Sequence, residues 1–135
     1  MNPMPPVCEI PIVSEADIVA VRTRGREMAR ALGFGTVDQT RIATAISELA
    51  RNILIYAKTG LVRLSRVEKS SRPGLEILAT DQGPGIRDVA AVLDGRGSSS
   101  RGLGLGIPGS RRLMDDFEVS SAPGQGTSIR CVKWL

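Results

Sequence analysis

At 135 residues, 41% hydrophobic and 24% charged, the chain has the size and composition of a single soluble globular domain spanning 1–135, and it contains no apolar run long enough to span a bilayer. The net charge is +4 with arginine supplying 15 of 18 basic residues, but four aromatics and no basic block longer than two give nucleic-acid readout little to work with. There is no histidine, which excludes His-based triads, H-E-x-x-H zinc sites and autophosphorylation on histidine.

The amino terminus, MNPMPPVCEI, lacks a basic-then-apolar signal pattern, so a cytoplasmic protein with no membrane or nucleic-acid partner is expected. Residues 1–6 read as a flexible lead-in. Val7 to Val13 alternates and is rich in β-branched residues, the pattern of a strand. Ser14 with Asp17 resembles a helix start, and Ile18, Val21, Gly25, Met28 and Leu32 recur at helical spacing until Gly33-Phe34-Gly35. Thr36 with Gln39 reads as a capping box that opens a second helix, running to about Ala57 before a turn at Thr59-Gly60.

Leu61 to Val67 and Leu75 to Thr80 read as strands joined by a polar connection carrying Pro73-Gly74. Asp88 to Leu93 fits a short helix, and Asp94 to Gly106 is a Gly/Ser loop, DGRGSSSRGLGLG. Pro108 to Met114 begins a third helix with proline in its first turn. Phe117 to Ser121 and Ser128 to Trp134 close the chain as strands, joined through residues 122–126. The order β-α-α-β-β-loop-α-β-β predicts an α/β sandwich: a mixed, largely antiparallel sheet with helices on one face. Cys8 and Cys131 fall in strands near opposite ends and are expected to be buried, reduced thiols. Tyr56 and Phe117 are expected in the core, and Trp134 either closes the sheet edge or forms an exposed contact.

Chemistry concentrates at four places. At about 100° per residue, Ile42, Ala45, Ile46, Leu49 and Ile53 form one apolar arc, and Glu48 and Asn52, one turn apart, sit at its border. A carboxylate and a carboxamide at the edge of a core need partners, and a metal ion with phosphates is one such partner. Asp81-Gln82-Gly83-Pro84-Gly85 follows a strand. A strand end is a rigid mount for an aspartate, and a carboxylate accepts hydrogen bonds, which suits the 6-amino group of adenine and opposes guanine. Gly102-Leu103-Gly104-Leu105-Gly106 ends at a helix start, where backbone N–H groups suit phosphate oxygens. Its match to G-x-G-x-x-G lacks the preceding strand of a dinucleotide fold. Gly124-Gln125-Gly126-Thr127 opens the last strand and puts a hydroxyl beside Asp81 if those strands are neighbours. Taken singly, each cluster is explained by a turn or loop; their order is what points to a nucleotide site.

In that order the motifs resemble the ATP-binding domain shared by gyrase-type ATPases, the Hsp90 chaperone, histidine kinases and MutL. Ser47-Glu48-Leu49-Ala50-Arg51-Asn52, Asp81-Gln82-Gly83-Pro84-Gly85-Ile86, the 102–106 run and the ending Val132-Lys133-Trp134-Leu135 are most similar to the stressosome switch kinases, small serine/threonine kinases related to anti-sigma factors. The resemblance covers the chain from about residue 8 to the end. It implies that Asn52 ligates Mg²⁺ bridging the ATP phosphates and that Glu48 is the general base. It implies that Asp81 binds the adenine amino group and that Thr127 supports that end. Gly83, Gly85 and Ile86 would line the base pocket. Arg101, Gly102, Leu103, Gly104, Leu105 and Gly106 would hold the triphosphate. Arg51, Arg96 and Arg101 are candidates for phosphate contact, with solvent-exposed charge as the alternative. Ser47 stands where many relatives in the wider family carry histidine, which leaves open how the base is oriented.

The activity implied is transfer of the ATP γ-phosphoryl group to serine or threonine of a scaffold or antagonist protein carrying a sulfate-transporter/anti-sigma-antagonist domain. Release to activate a serine phosphatase by contact would follow, in a stress-signalling partner switch. The alternative is a regulatory binding module or anti-sigma factor acting mainly by protein contact. A stand-alone ATPase of the chaperone or topoisomerase type fits less well, because no transducer segment follows Leu135. Residues 94–106 are expected to act as a nucleotide lid.

Overall fold

The computed structural model describes residues 7–86, 89 and 106–135. Its elements are β1 (Val7–Ile12), α1 (Glu15–Leu32), α2 (Thr36–Tyr56), β2 (Gly60–Lys69), β3 (Arg72–Asp81), α3 (Gly106–Leu113), β4 (Asp116–Ser121) and β5 (Thr127–Trp134). The five strands form one sheet in the order β1-β2-β3-β5-β4, and every neighbouring pair is antiparallel. The expected sandwich is therefore present, with a sheet that is wholly rather than largely antiparallel among the described residues. No helix among them is long and apolar enough to cross a membrane.

Register explains which face the helices cover. Ile10, Val62, Ala79, Ile129 and Val119 form one cross-strand row, and Cys8, Leu64, Ile77, Cys131 and Phe117 form the next on the same face. These rows meet Ile18, Val21 and Met28 of α1 and the predicted arc of α2, whose Ile42, Ala45, Ile46, Leu49 and Ile53 are all buried. The intervening rows carry Arg63, Glu76, Arg130 and Glu118 and face away from the helices. There Arg130 donates to the carboxylate of Glu76.

Three local expectations are corrected. Gly35, not Thr36, is the N-cap of α2: the Gln39 N–H donates to Gly35 O at 2.9 Å and the Gln39 amide to Phe34 O at 2.9 Å, so the Thr36–Gln39 box does not form. The β2–β3 turn is Ser70-Ser71, both left-handed with φ of 53° and 67°, the pattern of a two-residue type I′ turn. Pro73 and Gly74 lie inside β3, where proline is tolerated at a strand start. At the α2–β2 connection the left-handed residue is Lys58 (φ 72°), and Gly60 already belongs to β2. The Ser14 start stands, with Asp17 accepting from the backbone N–H of Val13 at 2.9 Å and of Ser14 at 3.0 Å.

Cys8 is half-buried and Cys131 buried, and both are free. They occupy one row but are separated by β2 and β3, roughly 14 Å at ordinary strand spacing. That is beyond disulfide reach. Trp134 is half-buried, and its indole N–H donates to Asp116 at 2.8 Å, tying β5 to the edge strand β4. Lys133, on the helical face, donates to Leu113 O at 3.2 Å and lies 3.8 Å from Asp38, so one ammonium joins the end of α3 to the start of α2.

Candidate functional site

The antiparallel pairing of β3 with β5 sets Asp81 opposite Thr127 at one end of the sheet. The chain then leaves β3 along Gln82 to Ile86 and crosses toward the β4–β5 turn. Two glycines make that crossing possible. Gly85 has φ 82° and a Cβ there would lie 2.0 Å from Ala122 O; Gly126 has φ 76° and a Cβ would lie 2.2 Å from Asp81 O. Neither position accepts a side chain without moving backbone. Gly124 N–H donates to Pro84 O at 2.6 Å and closes the contact between the two segments.

Ser121, the last residue of β4, is the hub of this junction. Its hydroxyl accepts from Ile86 N–H at 2.8 Å, donates to Gly126 O at 2.8 Å and lies 2.9 Å from the Thr127 hydroxyl. Asp81 Oδ1 accepts from Gly83 N–H at 2.8 Å, which fixes the carboxylate while leaving its other oxygen outside that bond. Gly83 itself packs against Ala57 at the end of α2.

Between this junction and α2 lies a cavity of about 130 Å³. Leu49, Asn52, Ile53 and Tyr56 of α2 form one wall. Ala79, Asp81, Thr127 and Ile129 form the floor, and Pro84, Gly85, Ile86 and Ile107 complete the rim. A mostly apolar slot with a few polar groups at defined points suits a flat heteroaromatic ligand held by directed hydrogen bonds. Tyr56, expected in the core, is half-buried at the wall instead. Phe117 is partly buried against the core, as expected.

Asn52 reaches the cavity and Glu48 does not line it. Asn52 Nδ2 is buried and has no hydrogen-bond partner among the described residues. Glu48, one turn earlier, is 39% exposed, and its Oε2 lies 3.8 Å from the guanidinium of Arg51. That separation and exposure make the pair weak, so the carboxylate stays open to an incoming group. Ser47 is buried and donates to Ala43 O at 3.0 Å within the helix, so its hydroxyl is spent on the backbone.

Of the sequence-predicted residues, the fold brings together Asn52, Asp81, Gly85, Ile86 and Thr127 around one cavity, with Gly83 beneath Asp81. Arg96, Arg101, Gly102, Leu103, Gly104 and Leu105, and most of the 94–106 lid and the 88–93 helix, lie outside the described residues; Gly106 is described as the first residue of α3. Sequence reading missed Ser121 and the apolar wall. Ser121 sits in an ordinary alternating strand, and only strand pairing reveals its three contacts. The apolar lining shares its spacing with the core and carries no separate signal.

The histidine kinase-like ATPase domain model matches residues 13–133. The chain belongs to that family. Within this ATPase family it is 54% identical over 124 residues to the serine/threonine-protein kinase RsbT of Bacillus subtilis, covering 92% of this chain and 93% of that protein. It is 30% identical over 100 residues to the anti-sigma F factor of Caldanaerobacter subterraneus subsp. tengcongensis, covering 70% of this chain and 68% of that one. The chain thus falls among the family's ATP-dependent serine/threonine kinases, the branch it shares with anti-sigma factors. Two solved structures share the fold alone. The histidine kinase domain of the Erythrobacter litoralis EL346 blue-light kinase matches with TM-score 0.57 at 19% identity, covering 87% of this chain and 59% of that one. The SiaB–SiaC complex from Pseudomonas aeruginosa matches with TM-score 0.58 at 12% identity, covering 96% and 89%.

Proposed function

We propose that this partner-switching kinase moves the γ-phosphoryl group of ATP to a serine or threonine of a scaffold or antagonist protein with a sulfate-transporter/anti-sigma-antagonist domain. On release it activates a serine phosphatase by contact in a stress response. The observation that carries the reading is the position of Asn52. Its carboxamide lies in the wall of a cavity whose far end carries Asp81 and Thr127, and Glu48 stands one turn away with an exposed carboxylate.

In this reading Asp81 and Thr127 hold the adenine, and Gly85 and Ile86 bound its slot. Residues 101–106 close over the triphosphate as part of the 94–106 lid. Arg101 is the favoured phosphate contact, with Arg51 and Arg96 as further candidates. Asn52 would hold Mg²⁺ through its carboxamide oxygen, a hard donor on a side chain in the cavity wall, and Mg²⁺ takes one or two protein oxygens alongside phosphates and water. Bound there, the cation would offset charge on the phosphates. Glu48 takes the proton from the partner's hydroxyl. The hydroxyl oxygen bonds to the γ-phosphorus as the bond to the β-phosphate oxygen breaks, and ADP leaves with that electron pair. A protein hydroxyl must reach this carboxylate from outside, which the exposure of Glu48 permits.

The test is labelled ATP with a purified antagonist-domain partner. Glu48→Gln should bind ATP and fail to transfer its phosphate; undiminished transfer would remove Glu48 as the base. A second reading, a contact-driven regulator with nucleotide as its switch, draws support from the similarity to an anti-sigma factor. Asn52→Asp separates the two: loss of transfer with phosphatase stimulation intact would assign the regulatory output to contact alone.

A further inference from the structure

We infer that Ser121 is a positioning residue that turns the Thr127 hydroxyl into a hydrogen-bond acceptor toward the bound purine, and so sharpens selection of adenine over guanine. The inference rests on the adenine reading of the Asp81 end of the cavity.

Ser121 pairs with Thr127 across β4 and β5, and Thr127 pairs with Asp81 across β5 and β3. The three residues therefore form one cross-strand row at the mouth of the slot. A serine hydroxyl has one proton and two lone pairs. Ser121 Oγ has three neighbours: Ile86 N–H at 2.8 Å, Gly126 O at 2.8 Å and Thr127 Oγ1 at 2.9 Å. The Ile86 amide can only donate and the Gly126 carbonyl can only accept. The Ser121 proton must go to Gly126, since two bare acceptors at that distance repel. One lone pair takes the Ile86 proton. The other is left for Thr127, which must be the donor in that contact.

This assignment has a consequence inside the cavity. With its only proton committed to Ser121, Thr127 presents lone pairs to the slot it lines. Asp81, beside it, offers the carboxylate oxygen not engaged by Gly83 N–H. The wall is then acceptor beside acceptor. The 6-amino group of adenine brings two N–H donors to such a wall, whereas guanine brings a carbonyl oxygen. Without Ser121 the Thr127 hydroxyl is free to rotate and donate to that oxygen. Asp81 alone would then carry the discrimination.

The experiment is Ser121→Ala, with dissociation constants for ATP and GTP measured by competition against a fluorescent ATP analogue. The ATP-over-GTP preference is expected to fall by about tenfold, the worth of one hydrogen bond. In a Thr127→Val background the same change should leave the ratio where Thr127→Val has put it, because no hydroxyl remains to be oriented. An equal fall in both backgrounds would make Ser121 a support for the loops only and overturn the inference. So would an unchanged ratio in a folded Ser121→Ala protein whose ATP binding is still weakened by Asp81→Asn. If ATP binding ignores Asp81→Asn, it is the adenine reading that fails instead. Should Ser121→Ala not fold, Ser121→Cys carries the same test, since a thiol is a weaker donor and acceptor in nearly the same shape.

Discussion

At the Asp81 end of the cavity, the base end in the proposed reading, every polar residue named here has a partner: Asp81 takes Gly83 N–H, Ser121 joins Ile86, Gly126 and Thr127, and two left-handed glycines let the segments touch. At the helix end, Asn52 Nδ2 is buried without a partner among the described residues, and Glu48 has Arg51 at 3.8 Å. In the first region each polar residue is held in place by the protein itself. The second contains a buried amide nitrogen whose energetic cost is offset only when something binds beside it. On the proposed reading the Asp81 end recognises the base with side chains already held in place, while the helix end serves the reacting phosphate, where interactions that strengthen only in the transition state raise the rate.

If the two ends divide the work in this way, the largest effect belongs to the helix end. Glu48→Gln should lower phosphoryl transfer by about 10²- to 10⁴-fold, the range of a general base, with ATP affinity nearly unchanged. Labelled transfer alongside calorimetric binding checks both halves. Next comes the backbone of the base end. Gly85→Ala should cost about 3 kcal/mol or more of stability, because it adds a left-handed penalty to a collision with Ala122 O; urea midpoints measure it. Asp81→Asn should weaken ATP binding by about 10- to 100-fold while leaving the urea midpoint in place, since an amide oxygen still accepts from Gly83 N–H.

Asn52→Ala sharpens the contrast from the other side. Removing a buried amide nitrogen with no partner should change the stability of the nucleotide-free protein by only about 1 kcal/mol, against the usual penalty for a buried polar deletion. The rise in melting temperature on adding Mg-ATP should nevertheless shrink. The smallest effect concerns the sheet one row beyond the cavity floor, where Cys131 pairs with Ile77. Burial, reinforced by the Glu76 carboxylate and opposed by Arg130, pushes the Cys131 thiol up from 9.0 to about 12. The unfolded thiol ionises first, so this contribution is fully present below pH 9 and is lost as pH rises toward 12. Urea midpoints should therefore fall as pH rises from about 9 toward 12, and Cys131→Ala should flatten that part of the fall.

The chain's own letters were enough for the layered architecture and for naming several of the residues that gather around the cavity. Alternation and helical spacing mark each described strand and helix, because burial on one face writes itself into the sequence with a fixed period. Asp81 and Thr127 were legible as polar residues at strand ends, and Gly85 and Gly126 because close approach and left-handed backbone demand glycine. Local turn chemistry was less legible. Ser70-Ser71 carries no glycine or asparagine to mark its conformation, and Gly35 displaced Thr36 because side-chain type alone does not fix where the first helical turn closes.

Only the tertiary structure decided what stands beside what. Ser121 acquires its contacts from the tertiary fold, which sets it beside Thr127 six positions on and against Ile86 35 positions back. Tyr56 and Leu49 have the same helical spacing as core residues, and only the gap between α2 and the sheet makes them a cavity wall. Glu48 and Asn52 share a helix face by sequence, yet one lies in the wall and the other at its exposed border, because the helix's tilt and neighbours lie outside its own period. Periodicity fixes which way a side chain leaves its element. What it meets there depends on contacts between residues far apart in the chain.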